Sequence, residues 1–343
     1  MAYSVIDKHS SFMNPLKYTG DASTQAVTGV GFQPDIVWIK NMSTTSDWSG
    51  YDSVRGTTKA LMQDNNGEEQ TYATGLTAFG ADGFTVGAQA IVNGSGNSIA
   101  SMNWKAGTTS GIAGSPSITP TSYSFNSTSG VSVIAYTGTG SAGTLPHGLG
   151  VAPELIIQKN LADAENWQVY HKSMGATKYM TLNTTNAESA QTSRWNDTAP
   201  TSTLFTIGSD SSVNGSGENC IAYCFAPVKG FSKFNYFKGN GETNGPMIYT
   251  GFKPAFLVIK RMNAGADYGW GVYDNKRAGY NDNNRTLYFT TSAEDGGGYV
   301  NFFSNGFKMI SSSAWQNSSN NLFLYWAFGQ PIVGSNGVTA TAR

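Results

Sequence analysis

Three near-copies of one decapeptide organise this chain. They read Gly31-Phe-Gln-Pro-Asp-Ile-Val-Trp-Ile-Lys40, Gly150-Val-Ala-Pro-Glu-Leu-Ile-Ile-Gln-Lys159 and Gly251-Phe-Lys-Pro-Ala-Phe-Leu-Val-Ile-Lys260. In each copy a glycine and a proline precede a short apolar run that ends in lysine. The proline restricts φ at the entry, and the continuous apolar run is typical of a strand covered on both faces. The decapeptide therefore predicts a buried β-strand at three places in the sequence.

Further landmarks surround each decapeptide in the same order. A tyrosine and a glycine turn come before it, and a Trp-x-x-Tyr strand, a Phe-containing strand and an asparagine turn come after it. The members are Tyr18-Thr-Gly20, Tyr136-Thr-Gly138 and Tyr236-Phe-Lys-Gly239; Trp48 to Asp52, Trp167 to His171 and Trp270 to Asp274; Asp82 to Gly87, Leu204 to Gly208 and Asn305 to Met309; and Asn93 to Gly96, Asn214 to Gly217 and Asn317 to Asn320. We infer three diverged copies of one module of about a hundred residues.

The expected fold is all-β, with three tandem β-sandwich modules of jelly-roll or lectin-like packing. Helical periodicity is scarce: residues 183–193 form a candidate short helix, and residues 57–64 are ambiguous. The predicted boundaries are an N-terminal arm at 1–17, modules at 18–107, 131–228 and 229–333, a Gly/Ser/Thr/Pro linker at 108–130 and a C-terminal tail at 334–343.

The composition argues against two classes of partner. The 343 residues carry 21 basic and 22 acidic side chains without a basic run, so binding to nucleic acid is not expected. The longest apolar runs have strand length, well below the roughly 20 residues needed to span a bilayer. The N-terminus lacks a charged-then-apolar signal pattern. We therefore expect no membrane insertion, no signal peptide and synthesis in the cytoplasm.

No catalytic fingerprint occurs, so the chain is predicted not to be an enzyme. The histidines occupy unrelated positions of the copies and are interpreted as turn or surface residues: His9, His147 and His171. Oxygen-rich loops at 64–69, 281–284 and 294–298 do not match EF-hand spacing, so calcium is possible but unsupported and no cofactor is predicted. Cys220 and Cys224 are interpreted as small buried apolar residues.

The aromatic residues divide into two groups. Those that recur are interpreted as core: Trp48, Trp167, Trp270, Tyr51, Tyr170 and Tyr273. Those outside the repeat pattern are candidates for ligand contact: Trp195, Tyr280, Tyr299 and Trp315. The recurring lysines Lys40, Lys159 and Lys260 are interpreted as solvated or salt-bridged. Function is expected where the copies differ, in the termini and in the loops around 64–69, 187–197, 275–284 and 311–320.

Other stretches carry a resemblance over nearly the whole chain. Besides Gly31 to Lys40 and Asp82 to Gly87, they are Tyr51-Asp-Ser-Val-Arg-Gly56, Asn103-Trp-Lys-Ala-Gly107, His147-Gly-Leu-Gly-Val-Ala-Pro153, Tyr170-His-Lys-Ser-Met-Gly-Ala-Thr-Lys178, Trp195-Asn-Asp-Thr-Ala-Pro200, Gly230-Phe-Ser-Lys-Phe234 and Val333 to Arg343. Together they resemble a repeat module of virion structural proteins from marine tailed bacteriophages. Ile99-Ala-Ser-Met102 departs from that pattern, because an aromatic-rich strand is more typical there.

The resemblance implies a place on the virion surface, as a tail fibre, adhesin or capsid decoration, in a concanavalin-like β-sandwich context. It implies no catalytic residues. The partners it suggests are other virion proteins, further copies of the chain (a trimer is favoured) and a host cell-surface polysaccharide. Two alternatives remain open: a free carbohydrate-binding, lectin-like protein and, ranked last, a polysaccharide depolymerase.

Overall fold

The computed structural model describes residues 3–263, 269–277, 281, 285–292, 297 and 299–333. Its regular elements are antiparallel β-strands and a few helical turns of three or four residues, one of them a 3-10 turn at His9–Ser11. The all-β class is therefore confirmed. The strands fall into three groups that follow the three sequence copies, which we call the first, second and third copy.

The first copy spans residues 13–104. Its strands are β1 (Met13–Thr19), β2 (Gln25–Thr28), β3 (Ile36–Asn41), β4 (Ser49–Asp52), β5 (Gly56–Leu61), β6 (Gln70–Thr71), β7 (Leu76–Gly80), β8 (Gly83–Val86) and β9 (Ser98–Trp104), with a helical turn α1 (Ala90–Asn93). They form a six-stranded sheet, β1-β9-β3-β4-β5-β6, and a three-stranded sheet, β2-β8-β7.

The second copy spans residues 122–225. Its strands are β10 (Ser122–Asn126), β11 (Val131–Thr137), β12 (Gly143–Pro146), β13 (Leu155–Asn160), β14 (Gln168–His171), β15 (Lys178–Thr181), β16 (Ser189–Ala190), β17 (Leu204–Ile207) and β18 (Asn219–Phe225), with turns α2 (Thr192–Trp195) and α3 (Ser211–Asn214). They form a seven-stranded sheet, β10-β11-β18-β13-β14-β15-β16, and the pair β12-β17.

The third copy spans residues 232–331. Its strands are β19 (Ser232–Lys238), β20 (Met247–Tyr249), β21 (Phe252–Arg261), β22 (Gly271–Asp274), β23 (Leu287–Tyr288), β24 (Val300–Phe303), β25 (Gly306–Met309) and β26 (Leu322–Pro331). They form a five-stranded sheet, β19-β26-β21-β22-β23, and a three-stranded sheet, β20-β25-β24. Every copy thus pairs one large sheet with one small sheet.

Some segments have a different structure from the one predicted from the sequence. Strand β1 pairs with β9 from Met13 onward, so residues 13–17 of the predicted arm belong to the first large sheet. Strand β10 lies inside the predicted linker 108–130 and pairs with β11. The predicted helix at 183–193 is reduced to the single turn α2, and 57–61 lies in β5. The domain boundaries themselves stay predictions.

Each large sheet is buried on both faces. One face packs on the small sheet of the same copy and encloses a separate apolar cluster in every copy. The opposite faces of all three large sheets meet in one continuous apolar cluster. There the ring centroid of Trp104 lies 5.3 Å from that of Phe256 and 6.1 Å from that of Phe225. The continuous apolar runs of the decapeptides follow from this double burial.

The recurring tryptophans join the copies in a closed cycle. Each is fully buried and donates its indole N–H to a backbone carbonyl of another copy. The pairs are Trp48 to Tyr288 at 2.9 Å, Trp270 to Thr181 at 2.9 Å and Trp167 to Met62 at 2.8 Å. The first copy therefore bonds to the third, the third to the second and the second to the first. We call these three contacts the tryptophan seams, and they confirm the predicted packing role.

The recurring lysines are buried, which corrects their interpretation as solvated. Lys40 donates to backbone carbonyls of Asn41 at 2.8 Å and Ser46 at 2.7 Å and, across the seam to the third copy, of Ser292 at 3.1 Å. Lys260 reaches Thr185 of the second copy at 2.8 Å. Lys159 bonds to turn carbonyls within its own copy. Burial lowers the pKa of Lys159 to about 8 and that of Lys260 to about 7.

The recurring asparagines close one turn in each copy. The amide of Asn93 donates to the carbonyls of Ser23 at 2.7 Å and Gly87 at 3.0 Å. Asn214 donates to Gly208 at 2.8 Å, and Asn317 donates to Ser311 at 2.8 Å. All three are fully buried, so their recurrence is explained by folding: a buried backbone turn needs these hydrogen bonds.

Candidate functional site

Six large apolar side chains are exposed among the described residues. They are Val5, Val151, Tyr236, Met247, Tyr249 and Trp315. A scattered exposed apolar residue is normal, but a contiguous group marks a binding surface. Val5, Val151 and Tyr236 line three clefts that share Pro227, in the short connection between the second and third copies, and Tyr249 lies beside Tyr3 and Lys233 of two of these clefts.

The three clefts have volumes of about 460, 330 and 220 Å³. The largest lies between Glu154 and Lys172 of the second copy and Lys233, Asn235 and Tyr236 of the third. The second is lined by Tyr3, Val5, Ser127, Thr128 and Lys229, and the third by Val151, Pro153, Tyr170 and Pro200. We call the surface around Pro227 that carries Tyr3, Val5, Val151, Lys172, Lys229, Lys233, Tyr236 and Tyr249 the junction surface.

Tyr236 reaches this surface because the third copy is shifted by one residue from the predicted alignment. In the first two copies the landmark tyrosine is Tyr18 or Tyr136, and its hydroxyl donates to a carbonyl of the neighbouring helical turn at 2.6 Å. In the third copy Phe237 occupies that register, 7% exposed and stacked on Phe323 at 5.2 Å. Side chains alternate along a strand, so Tyr236 points outward and is 51% exposed.

The third copy exposes three large side chains, Tyr236, Met247 and Tyr249, where the other copies have smaller or charged residues. The equivalents of Tyr236, by their pairing with the closing strand, are Lys17 and Ala135. The equivalents of Tyr249 in the small sheets are Thr28 and Pro146, and those of Met247 are Ala26 and Thr144. The fold therefore forms without large apolar side chains at these positions, and another cause must account for them in the third copy.

Two lysines flank two tyrosines on the junction surface. The Tyr3 hydroxyl donates to the carbonyl of Gly251 at 2.8 Å and lies 3.4 Å from the Tyr249 hydroxyl. The ammonium of Lys229 is 5.0 Å from the centroid of the Tyr3 ring, and that of Lys233 is 5.5 Å from the Tyr249 ring. Burial and the neighbouring Tyr249 raise the pKa of Tyr3 to about 12. Both rings are thus held in place beside a cation.

The junction surface carries an excess of positive charge. Lys172 pairs with Glu154 at 2.5 Å. Within the described ranges, neither Lys229 nor Lys233 has a carboxylate at salt-bridge distance. Lys233 donates instead to the carbonyl of Tyr249 at 2.8 Å. Two lysines are therefore available to a negatively charged ligand.

The four aromatic residues predicted as ligand contacts do not form one site. Trp195 is buried and packs edge-on against Tyr170, so its prediction as an exposed contact is wrong. Tyr280 lies outside the described residues. Tyr299 is partly buried against the apolar cluster of the third copy. Trp315 is 38% exposed, and its ring centroid is 5.2 Å from that of Tyr288.

Two loops predicted to carry function contact neighbouring copies. In the loop 64–69, the Glu69 amide donates to the Leu161 carbonyl at 3.1 Å and the Asn66 side chain to Ala164 at 3.0 Å. At the equivalent place in the second copy, the Glu188 amide donates to the carbonyl of Met262 at 2.9 Å. Their sequences differ between copies because each loop meets a different neighbour.

Two buried histidines correct the prediction of turn or surface positions. His171 donates through Nε2 to the Tyr325 carbonyl at 3.2 Å and accepts at Nδ1 from the amide of Ser173. His147 makes the same kind of pair with Thr201 and Leu149. Burial lowers the pKa of His171 to about 4 and lowers that of His147. Both rings are neutral at pH 7 and serve as backbone anchors.

Buried ion pairs occupy the positions equivalent to His171. Arg55 contacts Asp52 at 2.6 Å and Glu69 at 3.2 Å, and the Tyr223 hydroxyl donates to Asp52 at 2.7 Å. In the third copy Arg277 pairs with Asp274, both 1% exposed at the side chain. The carboxylates and guanidinium groups are matched to each other, so these charges serve packing between strands and copies.

Of a metal site, a membrane-spanning helix and a second cationic cleft, the described residues contain the last. No group of three or more His, Cys, Asp and Glu side chains suited to a metal occurs in that part of the chain. None of its helices is long and apolar enough to cross a membrane. A cleft of about 280 Å³ between the first and third copies contains Lys17, Arg277 and Arg285, with Arg277 already paired to Asp274.

Comparison with known proteins gives one match. No curated protein and no solved structure matches the chain. A family model described as a domain of unknown function, DUF7483, matches residues 8–331. That match covers all three copies and the connections between them. The chain therefore belongs to the DUF7483 family.

Proposed function

We propose that the chain is a non-enzymatic structural protein of a virion, displayed on the particle surface and contacting host-surface glycans through the junction surface. The observation that carries most weight is the closed cycle of tryptophan seams around one shared apolar core. A body closed in this way is a rigid scaffold that holds a surface patch in a defined orientation. The resemblance of the sequence to phage virion modules supplies the setting.

The distribution of charge and aromatic residues supports a binding role. The buried cations Lys40, Lys159 and Lys260 bond to turn carbonyls, and Arg55 pairs with Asp52, so the buried polar groups serve the framework. In contrast, the exposed aromatic residues of the junction surface have no framework role, because the other copies fold without them. Ligand contact would explain why they are kept at the surface.

Capsid decoration and tail attachment remain two forms of the same proposal. Purified virions are digested and searched by mass spectrometry for peptides of this chain, and labelled antibody then locates it on the particle. We expect the chain in virions at a stoichiometry above one copy per particle. Its absence from purified virions would contradict the virion role.

A free carbohydrate-binding protein is the second candidate, favoured by the exposed tyrosines Tyr236 and Tyr249 beside Asn235. It predicts glycan binding by a chain that is absent from virions. A polysaccharide depolymerase ranks third and predicts release of reducing ends from a host polysaccharide. The same protein preparation tests both: a glycan-binding assay for the first and a reducing-sugar assay for the second.

A further inference from the structure

We infer that the junction surface is a binding site for an anionic polysaccharide, whose sugar rings stack on Tyr236 and Tyr249 and whose carboxylate or sulfate groups pair with Lys229 and Lys233. This inference rests on the proposed function for its glycan class and adds the charge of the ligand and the residues that select it. It starts from three independent properties of the surface: aromatic exposure, charge and polar lining.

The aromatic exposure suits a sugar. Tyr236 on β19 and Tyr249 on β20 are 51% and 55% exposed, and Lys233 of β19 donates to the Tyr249 carbonyl at 2.8 Å. A sugar ring presents an apolar C–H face to an aromatic ring and hydroxyl groups at its edge. Each tyrosine supplies such a flat face at a low cost in side-chain entropy. Tyr3, held by Gly251 and close to Tyr249, extends the aromatic surface towards the second cleft.

The charge selects an acidic ligand. Lys172, Lys229 and Lys233 oppose a single carboxylate, Glu154, which Lys172 already engages. Lys229 and Lys233 therefore give the surface a net positive charge that a repeating anion can complement. The two ammonium groups lie beside aromatic rings, where a ligand carboxylate or sulfate reaches a lysine as its sugar ring reaches a tyrosine.

The polar lining favours a glycan over a protein partner. Protein interfaces are depleted in lysine and serine and have a fully buried apolar centre. The clefts of the junction surface instead alternate aromatic residues with lysines and with Ser127, Thr128, Ser173 and Asn235. These short polar side chains can donate to and accept from sugar hydroxyls. Three clefts that share Pro227 also give an extended track, which suits a chain longer than one sugar unit.

The other copies supply the variants for a test. Tyr236→Ala reproduces the residue at the equivalent position of the second copy, and Tyr249→Thr reproduces that of the first. These substitutions leave the fold intact, because the same strand positions carry Ala135 and Thr28. A second variant, Lys229→Gln with Lys233→Gln, removes the charge and keeps a polar side chain one atom shorter than lysine. Trp315→Ala is the matched control, since Trp315 is an exposed aromatic residue away from the junction surface.

Binding of the full chain to alginate, to λ-carrageenan and to neutral dextran is measured by isothermal titration calorimetry at about 50 mM and 500 mM NaCl. Alginate carries carboxylates and carrageenan carries sulfates, so the two arms distinguish the anion. We expect affinity for one anionic polymer at least tenfold above that for dextran and a clear loss of affinity at high salt. The tyrosine variant, Tyr236→Ala with Tyr249→Thr, should bind that polymer with at least tenfold lower affinity. The lysine variant should bind it no more tightly than dextran. The affinity of Trp315→Ala should stay within twofold of the wild-type value.

Equal affinity for dextran, or an unchanged affinity of the tyrosine variant, would overturn the inference. Binding of neither anionic polymer would also overturn the inference. This outcome includes the case in which the junction surface docks on another virion protein, so that the tyrosine variant fails to assemble into virions. The virion search is independent of these titrations. A chain found in virions that binds no anionic polymer overturns this inference alone, whereas anionic binding by a chain absent from virions supports it and overturns the virion role.

Discussion

The first and second copies build the same seam from different chemistry. At the second, the amide of Trp167 donates to Asn183 at 3.0 Å, and the Asn183 side chain donates to Asn166 at 2.7 Å. At the first, the amide of Trp48 donates to Asp64 at 3.2 Å, with Asp47 at the position of Asn166. A neutral amide pair in one copy is thus a pair of carboxylates in the other.

The same backbone geometry can therefore have a stability that depends on pH in one copy and does not in the other. Two amides can donate to each other at any pH, whereas two neighbouring carboxylates repel unless one holds a proton. Burial and the nearby charge of Asp47 raise the pKa of Asp64 to about 7, and Lys40 opposes that rise. Within the described residues Asp64 Oδ2 is buried without a hydrogen-bond partner, which also favours protonation.

The largest effect is expected from removing a seam tryptophan. Trp167→Ala leaves a cavity in the shared core and removes the bond to Met62, so it should lower the free energy of unfolding by about 5 kcal/mol. Trp167→Phe keeps most of the volume and should cost much less. Chemical denaturation followed by fluorescence measures both. A loss below about 1 kcal/mol for Trp167→Ala would mean that the seam does not hold the copies together.

A buried ion pair gives the next largest effect and compares the first copy with the second. Arg55→Met introduces the residue that the second copy has at the same place, Met174, but leaves Asp52 buried without its cation. We expect a loss of about 3 kcal/mol in the free energy of unfolding. The double variant Asp52→Asn, Arg55→Met should recover a large part of that loss. A loss of stability in the double variant equal to the sum of the losses in the two single variants would contradict the pairing.

The carboxylate seam predicts a dependence of stability on pH. The pKa of Asp64 is higher in the folded chain than the ordinary value of 3.8, so the folded state binds the proton more tightly. Its contribution is therefore full below about pH 4 and is lost as the pH rises to about 7. Asp64→Asn, which copies Asn183, should remove about 2 kcal/mol of that decline, because solvent screening at this half-buried carboxyl group reduces the full effect of the pKa shift.

The measurement is the free energy of unfolding of the wild-type chain and of Asp64→Asn at several pH values between 4 and 8. The difference between the two proteins isolates this carboxyl group, because the remaining titrating groups are common to both. The double variant Asn166→Asp, Asn183→Asp is the reciprocal change, because it places two carboxylates at the second seam, and it should create a similar pH dependence there. Parallel curves for wild type and Asp64→Asn would show that the pair does not titrate in this range.

The smallest effect tests which side chains of β19 in the third copy point into the core. Tyr236→Ala should change the free energy of unfolding by less than about 0.5 kcal/mol, as an exposed substitution does. Phe237→Ala should cost about 3 kcal/mol, because its ring is stacked on Phe323 in the core. Thermal or chemical denaturation separates the two. A larger cost for Tyr236→Ala than for Phe237→Ala would reverse the assignment of inward and outward residues.

Much of the fold was predictable because the residues that specify it recur within each copy. The decapeptide strands and the recurring Trp and Tyr residues follow from composition and repetition. The lysines were misread because their partners are turn carbonyls, some of them in another copy, and such contacts leave no local pattern. The contacts of the loop 64–69 with the second copy were not predictable for the same reason.

Part of the candidate site was also within reach of the sequence. Gly20 and Gly138 each follow their landmark tyrosine by two residues, and Gly239 follows Phe237 by two. Counting back from the glycine would have placed Phe237 in the core and Tyr236 at the surface. The approach of Tyr3 to Tyr249 was not predictable, because it joins residues 246 positions apart by a single side-chain contact.

The cyclic order of the tryptophan seams has a consequence for synthesis. Trp167 and Trp270 find their acceptors, Met62 and Thr181, in chain that has already been made. Trp48 bonds to Tyr288, 240 residues further on, which a ribosome reaches about 10–50 s later. During that interval the nascent chain exposes an apolar sheet face with no partner. Translation speed and chaperone supply should therefore govern the yield of folded protein more than the stability of any single copy.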